Sequence, residues 1–252
     1  MHRAAEGNWV TGEKTRMISE LNHLGQPVGF EVPNWSKRPL PPKEPIQGRY
    51  CQIVPLDPNL HAADLHHANS EDKDGRMWSY IPTGPFPDFA TYLVTMKGWL
   101  QQDWCLYAII DQTKGTASGV AFYMSVEPGA GTIEIGVMYS PRLQRTTAGT
   151  EAMYLLMRRA FEELGYRRYV WKCNVLNTVS IQAAERLGFQ FEGTFRQAEV
   201  QKGRNRDTAW FSILDREWPS LAAAFVRWLK PENFDRNGQQ RRSLAQLRDQ
   251  EK

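Results

Sequence analysis

A run of small and polar residues follows an apolar segment that ends at Tyr139 and precedes a long helical pattern. Residues 139–152 read Y-S-P-R-L-Q-R-T-T-A-G-T-E-A. Small side chains let a ligand approach the backbone, and the first amides of a helix lack partners within it and lie at its positive end. The run therefore predicts an anion site suited to a pyrophosphate. A tight strand-to-helix turn without a ligand explains the same residues. The small residues are Thr146, Thr147, Ala148, Gly149 and Thr150.

A second polar pair, Asn177 and Ser180, comes at or just before the start of a short helical pattern that ends at Leu187. Asn and Ser side chains accept hydrogen bonds from the first amides of a helix, so either residue can be a cap. Either residue can instead hydrogen-bond a ligand that lies in a cleft beside the preceding strand. Both interpretations stay open from these residues alone.

Strands and helices in mixed order must position these two segments. Strands are predicted at 49–56, 104–111, 119–126, 132–139, 169–173, 189–195 and 207–214. Helices are predicted at 61–69, at 89–102 with Asp88 as its cap, at 150–164 and at 180–187. This order predicts an α/β fold (a mixed, α+β sheet flanked by helices). It does not match a doubly wound nucleotide-binding fold, in which strands and helices alternate strictly.

The two ends of the chain differ in composition from the middle. Residues 1–47 are predicted to be a proline-rich N-terminal arm, because six prolines between 27 and 45 exclude a helix or a central strand. The arm is either packed in an extended form or mobile. Residues 48–230 form the predicted domain, and 231–252 a polar C-terminal tail that is either a short surface helix or disordered. One hypothesis is that the protein truly starts at Met17 and that residues 1–16 are an extension.

Composition excludes several classes of protein. The formal charge of +3 is too small to indicate a nucleic-acid partner. The three cysteines have no metal-ligand spacing, so no metal is expected and a reduced, cytoplasmic compartment fits. No apolar stretch is long enough for a bilayer, so no membrane partner is expected, and residues 1–16 do not resemble a secretory signal. Whether the protein forms a homodimer stays open from the sequence.

Taken in order, the two polar segments resemble those of the GNAT acetyltransferase superfamily. Residues 144–149 are similar to its Q/R-x-x-G-x-G/A pyrophosphate loop, and T-E-A follows at 150–152. Asn177-x-x-Ser180 and the L-G-F at 187–189 are similar to its second motif. These features, with residues 195–218, resemble the RimJ/RimL-like (ribosomal-protein-alanine acetyltransferase) branch over about residues 48–218. Thr147 departs from the pattern, because the family has its first glycine there.

The resemblance implies a splayed central sheet and acetyl-CoA as cosubstrate, with no metal. It implies that the strand ending at Tyr139 diverges from the strand near Trp171. The pantetheine would then pair with the backbone around Val137 and Tyr139. The pyrophosphate would lie on the amides of residues 145–150, which adds Gln144 and Arg145 to the expected cofactor-binding residues.

The resemblance also implies catalytic residues. Many family members have a tyrosine four residues after the serine to protonate the leaving thiolate, but here that residue is Ala184, so Ser180 is the candidate. Glu199, in the Q-A-E segment at 197–199, is similar to the branch's glutamate that acts as a base through a water. Glu134 stands where other members carry a base. Glu199 is ranked slightly ahead of Glu134.

The function expected from the resemblance is acetyl transfer to a primary amine, either a protein N-terminus or a small molecule. A non-catalytic acyl-CoA-binding or sensor domain is the alternative, favoured by Thr147 and Ala184. A third hypothesis is an interaction protein whose P-x-x-P at 39–42 binds an SH3-like partner. The sequence does not identify the acceptor.

Overall fold

The computed structural model describes residues 19–250, so the hypothetical start at Met17 lies outside the described residues. The chain divides into two units, Met1–Ser36 and Lys37–Lys252. The described part of the first unit is an antiparallel hairpin of β1, Ser19–Leu21, and β2, Pro27–Gly29. The Asn22 side chain closes its turn by accepting the amides of Leu24 and Gln26.

The second unit is built on one eight-stranded mixed sheet. Its spatial order is β3-β4-β5-β6-β7-β8-β10-β9, and β7–β8 is its parallel pair. This architecture confirms the predicted α/β fold with a mixed sheet. The strands are β3 Ile46–Gln47, β4 Cys51–Pro55, β5 Cys105–Asp111, β6 Thr116–Glu127, β7 Thr132–Tyr139, β8 Arg168–Asn174, β9 Gln190–Gln201 and β10 Arg204–Leu214.

Helices flank both faces of the sheet. The α-helices are α1 Pro58–Asn69, α2 Phe89–Trp99, α3 Thr147–Arg158, α4 Thr178–Leu187, α5 Trp218–Trp228 and α6 Leu244–Arg248. Asp88 caps α2 by accepting the amide of Thr91, as predicted. The predicted helix at 150–164 begins earlier, at Thr147, and continues as a π-helical turn over Arg159–Glu163. None of the helices within residues 19–250 is long and apolar enough to cross a bilayer.

Each face of the sheet has its own apolar core. Side chains from α1 and α2 pack with Leu106 and Phe122 on one face, and those of α3, α5 and α6 pack with Tyr123 and Ile133 on the other. Because side chains alternate along a strand, Glu134 lies on the face opposite Ile133 and Ile135, as predicted. The sheet therefore separates a face covered by α3 from a face covered by α1 and α2.

The proline-rich segment at residues 38–45 is part of the second unit and packs against the rest of it in an extended form. The Tyr107 hydroxyl donates to the Pro42 carbonyl at 2.6 Å, and the Tyr166 hydroxyl donates to the Pro39 carbonyl at 3.0 Å. The Arg159 guanidinium donates to the Glu44 carbonyl at 2.8 Å. These contacts occupy the P-x-x-P stretch, so this segment is not presented as a free ligand for an SH3-like partner.

The chain after β10 is more ordered than its composition indicates. The helix α5, whose Phe225 is fully buried, was not predicted from the sequence. Of the two states left open for residues 231–252, the structure has a short helix, α6, capped by Ser243. This helix is not a purely surface element, because Leu244 and Leu247 are buried.

Candidate active site

The parallel strands β7 and β8 pair over only three residues and then diverge. Thr132, Ile133 and Glu134 are in register with residues 168–170, and the ladder ends there. The rest of β7, which contains Val137 and Tyr139, keeps its pairing with β6, and no strand within residues 19–250 pairs with its other side. The splayed sheet implied by the resemblance is confirmed. It leaves a free backbone edge, which an extended ligand can pair with.

The loop after β7 turns into α3 and leaves three backbone amides without partners in the part of the chain that the structure describes. Thr146 is the N-cap, and its hydroxyl accepts the amide of Gly149 at 3.0 Å. The amide of Thr150 donates to the Thr146 carbonyl. Within residues 19–250, no acceptor is found for the amides of Arg145, Thr147 and Ala148. The amides available to an anion are therefore fewer than the expected set at 145–150.

The threonine that replaces the family's first glycine fits its position. The left-handed residue of this loop is Arg145, with φ of 61°, and Thr147 is the first residue of α3. Gly149 is the residue that needs to be small, because a Cβ there would lie 2.7 Å from the Leu143 carbonyl oxygen. The departure at Thr147 therefore does not disturb the loop.

Three further residues of this segment have structural partners. The Gln144 side chain donates to the Tyr139 carbonyl at 2.8 Å, which ties the loop to the end of β7. The Tyr139 hydroxyl donates to the Gly149 carbonyl at 3.0 Å, and burial raises the pKa of Tyr139 far above its usual value. The Thr150 hydroxyl accepts from Arg186 at 3.2 Å. These contacts fix the loop against the edge of β7.

Asn177 and Ser180 have different roles at the start of α4. Asn177 is the N-cap, since its side chain accepts the amide of Ser180 at 3.1 Å. The Ser180 hydroxyl instead accepts from the indole nitrogen of Trp171 at 3.0 Å, which leaves it a proton to donate. Burial raises the pKa of the neighbouring Cys173 thiol, and a contact with Ser180 opposes this shift. Ala184 is fully buried in the core.

A carboxylate and an amine meet where the two strands separate. The Lys172 amine lies 2.7 Å from Glu134 Oε2, and both side chains are largely buried. The same amine lies 3.9 Å from the ring centroid of Trp210, which is opposite Lys172 in the β8–β10 register. A buried carboxylate beside the splay is well placed to take a proton.

Glu199 lies in a different environment, on the edge strand β9. It is in register with Arg206 of β10, and Arg206 Nη1 donates to its carboxylate at 3.1 Å. The Glu199 side chain is half exposed. Between Glu199 and Phe195 the ladder is interrupted, and Gln197 there has φ of 50°. Glu199 is therefore separated from Glu134 by two strands, β8 and β10.

Comparison with known proteins agrees with this geometry. A model of the acetyltransferase (GNAT) domain matches residues 52–190, which is more than half of the chain. This chain is a member of the GNAT acetyltransferase family. A GCN5-related N-acetyltransferase from Brucella melitensis is 42% identical, with a TM-score of 0.85, over 86% of this chain and 100% of that one.

Two curated relatives of this chain come from Bacillus species. "Uncharacterized N-acetyltransferase p20" of B. licheniformis is 30% identical over 44% of this chain and 63% of its own length. "Putative ribosomal N-acetyltransferase YdaF" of B. subtilis is 34% identical over 34% of this chain and 46% of its own length. The chain thus spans less than two thirds of these relatives. The second relative carries the name of a ribosomal N-acetyltransferase, and the resemblance of this chain to the RimJ/RimL-like branch stays a prediction.

Three side chains at this site were not predicted from the sequence. Trp171 positions the Ser180 hydroxyl, Lys172 binds Glu134, and Trp210 covers the Lys172 amine. One signal was available, because a lysine in the otherwise apolar strand Y-V-W-K-C needs a partner when it is buried. That this partner is Glu134 on β7 follows only from the parallel pairing of β7 with β8.

Proposed function

We propose that the protein transfers the acetyl group of acetyl-CoA to a primary amine, a protein N-terminus or a small-molecule amine, by direct attack. The observation that carries this proposal is the splay of β7 from β8, with unpaired amides at one end and a buried carboxylate at the other. Family membership supports the same reaction class.

Acetyl-CoA would bind along the free edge of β7. Its pantetheine would pair with the backbone near Val137 and Tyr139, and its pyrophosphate would accept the amides of Arg145, Thr147 and Ala148. These amides lie at the start of α3, where the helix dipole favours an anion.

The transfer needs a base for the amine and a proton donor for the sulfur. The acceptor's ammonium loses a proton, its nitrogen forms a bond to the acetyl carbon, and the carbon–sulfur bond breaks. Ser180 is proposed to hydrogen-bond the departing thiolate, because its hydroxyl is fixed by Trp171 and keeps a proton to donate. Glu134 and Glu199 are the two candidates for the base.

Titration calorimetry with acetyl-CoA tests the proposal, using the variant Thr147→Pro. This substitution removes one amide at the first position of α3, where proline is well tolerated. The preceding Thr146 has φ of −95° and ψ of 162°, the extended conformation that a following proline requires. Losing a hydrogen bond to a charged group should weaken acetyl-CoA binding by about tenfold or more. Thr147→Ala, which keeps the amide, is the matched control.

The outcomes separate the alternatives. Binding that Thr147→Pro weakens and Thr147→Ala leaves nearly unchanged, followed by amine-dependent release of CoA thiol, supports the enzyme. Binding without thiol release to any amine in a broad panel supports the non-catalytic acyl-CoA-binding domain. No binding to the folded wild-type protein would contradict both.

A further inference from the structure

Two arginines from separate helices lie together beside the start of α3. Arg186 is in the last turn of α4, and Arg248 is the last residue of α6. Partial burial lowers the pKa of Arg186, and the nearby charge of Arg248 lowers it further. Partial burial also lowers the pKa of Arg248, and the Asp249 charge opposes this shift. Because an arginine keeps its proton in proteins, these two residues, which we call the arginine pair, place two positive charges close together.

The arginine pair lacks an ion-pair partner in the part of the chain that the structure describes. Within residues 19–250, neither guanidinium forms an ion pair with a carboxylate. Two neighbouring cations repel each other, and a bound anion between them would relieve this repulsion. Arg186 is exposed and Arg248 is half-buried, so an anion can reach both side chains from the solvent.

Hydrogen bonds and a ring contact hold the arginine pair in place. Arg186 Nη1 donates to the Thr150 hydroxyl at 3.2 Å, and the guanidinium carbon lies 5.2 Å from the centroid of the Trp228 ring. Arg248 Nη1 donates to the carbonyls of Glu185 and Arg186 at 2.7 and 2.9 Å. Within residues 19–250, no acceptor is found for Nη2 of either guanidinium. Each arginine is therefore fixed by one nitrogen and keeps another nitrogen that can donate to a ligand.

The arginine pair lies next to the proposed pyrophosphate site. Thr150, which contacts Arg186, comes three residues after Thr147, whose amide is proposed to bind the pyrophosphate. Residues three apart are neighbours on one face of a helix and are separated by about 4.5 Å along its axis. In CoA, one ribose carries both the pyrophosphate and a separate phosphate monoester on its 3′ oxygen. A second anion site one helical turn from the first therefore matches the two anionic groups of this ribose.

We propose that Arg186 and Arg248 bind the 3′-phosphate of CoA, which makes the C-terminal helix α6 part of the cofactor site. The proposal rests on the proposed binding of acetyl-CoA. A phosphate monoester carries nearly two negative charges at neutral pH, and two guanidinium groups match this charge. Planar guanidinium groups also donate in pairs to phosphate oxygens. The family model ends at residue 190, so α6 lies outside the part of the chain that the model matches.

Arg186→Gln and Arg248→Gln test the pair, with acetyl-CoA and 3′-dephospho-acetyl-CoA as the two ligands. In the wild-type protein, removing the 3′-phosphate from the ligand should weaken binding by about tenfold or more. Each variant should weaken acetyl-CoA binding by about threefold to thirtyfold, because solvent partly screens the charges, and should change binding of the dephospho ligand by less than about twofold. Arg204→Gln is the matched control, because Arg204 is exposed at the other end of β10 from Ser212, which pairs with Gln190 just after α4.

The measurement is calorimetric titration, with Tm recorded for every variant. A loss confined to acetyl-CoA separates phosphate binding from a structural role, because loosening of α4 or α6 would weaken the binding of both ligands alike. Arg248→Lys, which keeps a cation, should retain part of the preference for acetyl-CoA. Equal binding of the two ligands by wild type, or an unchanged preference for acetyl-CoA in either glutamine variant, would overturn the proposal and leave the proposed function standing. Failure of the wild-type protein to bind either ligand would contradict both.

Discussion

At the scale of single residues, the two candidate bases differ in their surroundings. Glu134 is largely buried against Lys172, and Glu199 is half exposed against Arg206. Glu134 lies at the splay, whereas Glu199 is on the edge strand. Each carboxylate therefore has one cationic partner. The two carboxylates differ in burial and in their position in the sheet.

The paired variants Glu134→Gln and Glu199→Gln decide which carboxylate is the base. Loss of the base should lower kcat by about 10²- to 10⁴-fold and leave acetyl-CoA affinity nearly unchanged, because the base acts on the amine. Steady-state kinetics and calorimetry measure the two effects. If both variants kept wild-type kcat, neither glutamate would be the base.

Ser180 makes a second contrast at this scale, with its neighbour Asn177. Ser180→Ala should lower kcat by about 10²-fold, because the leaving thiolate loses its proton donor. Asn177→Ala should leave kcat nearly unchanged and lower the free energy of unfolding by about 1 kcal/mol, since it removes only the cap of α4. Kinetics and urea unfolding of both variants check this. A loss of stability without a loss of kcat in Ser180→Ala would reduce Ser180 to a structural residue.

At the scale of elements, the position of α3 depends on one buried carboxylate. Glu151 accepts the amides of Arg49, Tyr50 and Cys51 at 2.9, 2.6 and 2.9 Å. Gly48 lies so close that a Cβ there would be 2.5 Å from the carboxylate. The T-E-A segment at residues 150–152 thus attaches the N-terminal part of α3 to the start of β4.

Glu151→Gln should destabilise the protein, because the new amide group would place a donor against backbone donors. The expected loss in the free energy of unfolding is about 2–4 kcal/mol, measured by urea denaturation. Glu185→Gln, on the exposed side of α4, is the control and should change stability by less than about 0.5 kcal/mol. Equal stability of the two variants would show that the carboxylate contacts contribute nothing.

At the scale of the whole second unit, polar contacts connect distant parts of the chain across the sheet. The proline-rich segment accepts hydrogen bonds from Arg159, Tyr107 and Tyr166. The Lys202 amine, in the β9–β10 turn, donates to the connection between α1 and α2. Arg248 of α6 donates to the carbonyls of Glu185 and Arg186 at the end of α4. Segments that composition marks as peripheral are therefore part of the packed unit.

The sequence by itself determined the local features of this GNAT family member. Strand alternation and helical periodicity predicted most elements, because these patterns depend on neighbouring residues. The small residues around Thr146 predicted the amide-rich start of α3, and alternation correctly placed Glu134 on the face opposite Ile133. The cofactor-binding and catalytic roles of the residues stay predictions.

Only the tertiary structure decided which residues meet. The Lys172–Glu134 pair depends on the parallel β7–β8 ladder, and the contact of Trp171 with Ser180 depends on how α4 returns over β8. The contact of the Lys172 amine with the Trp210 ring depends on the antiparallel β8–β10 register. Such contacts join residues far apart in the chain, and no local pattern encodes the pairing of strands that creates them.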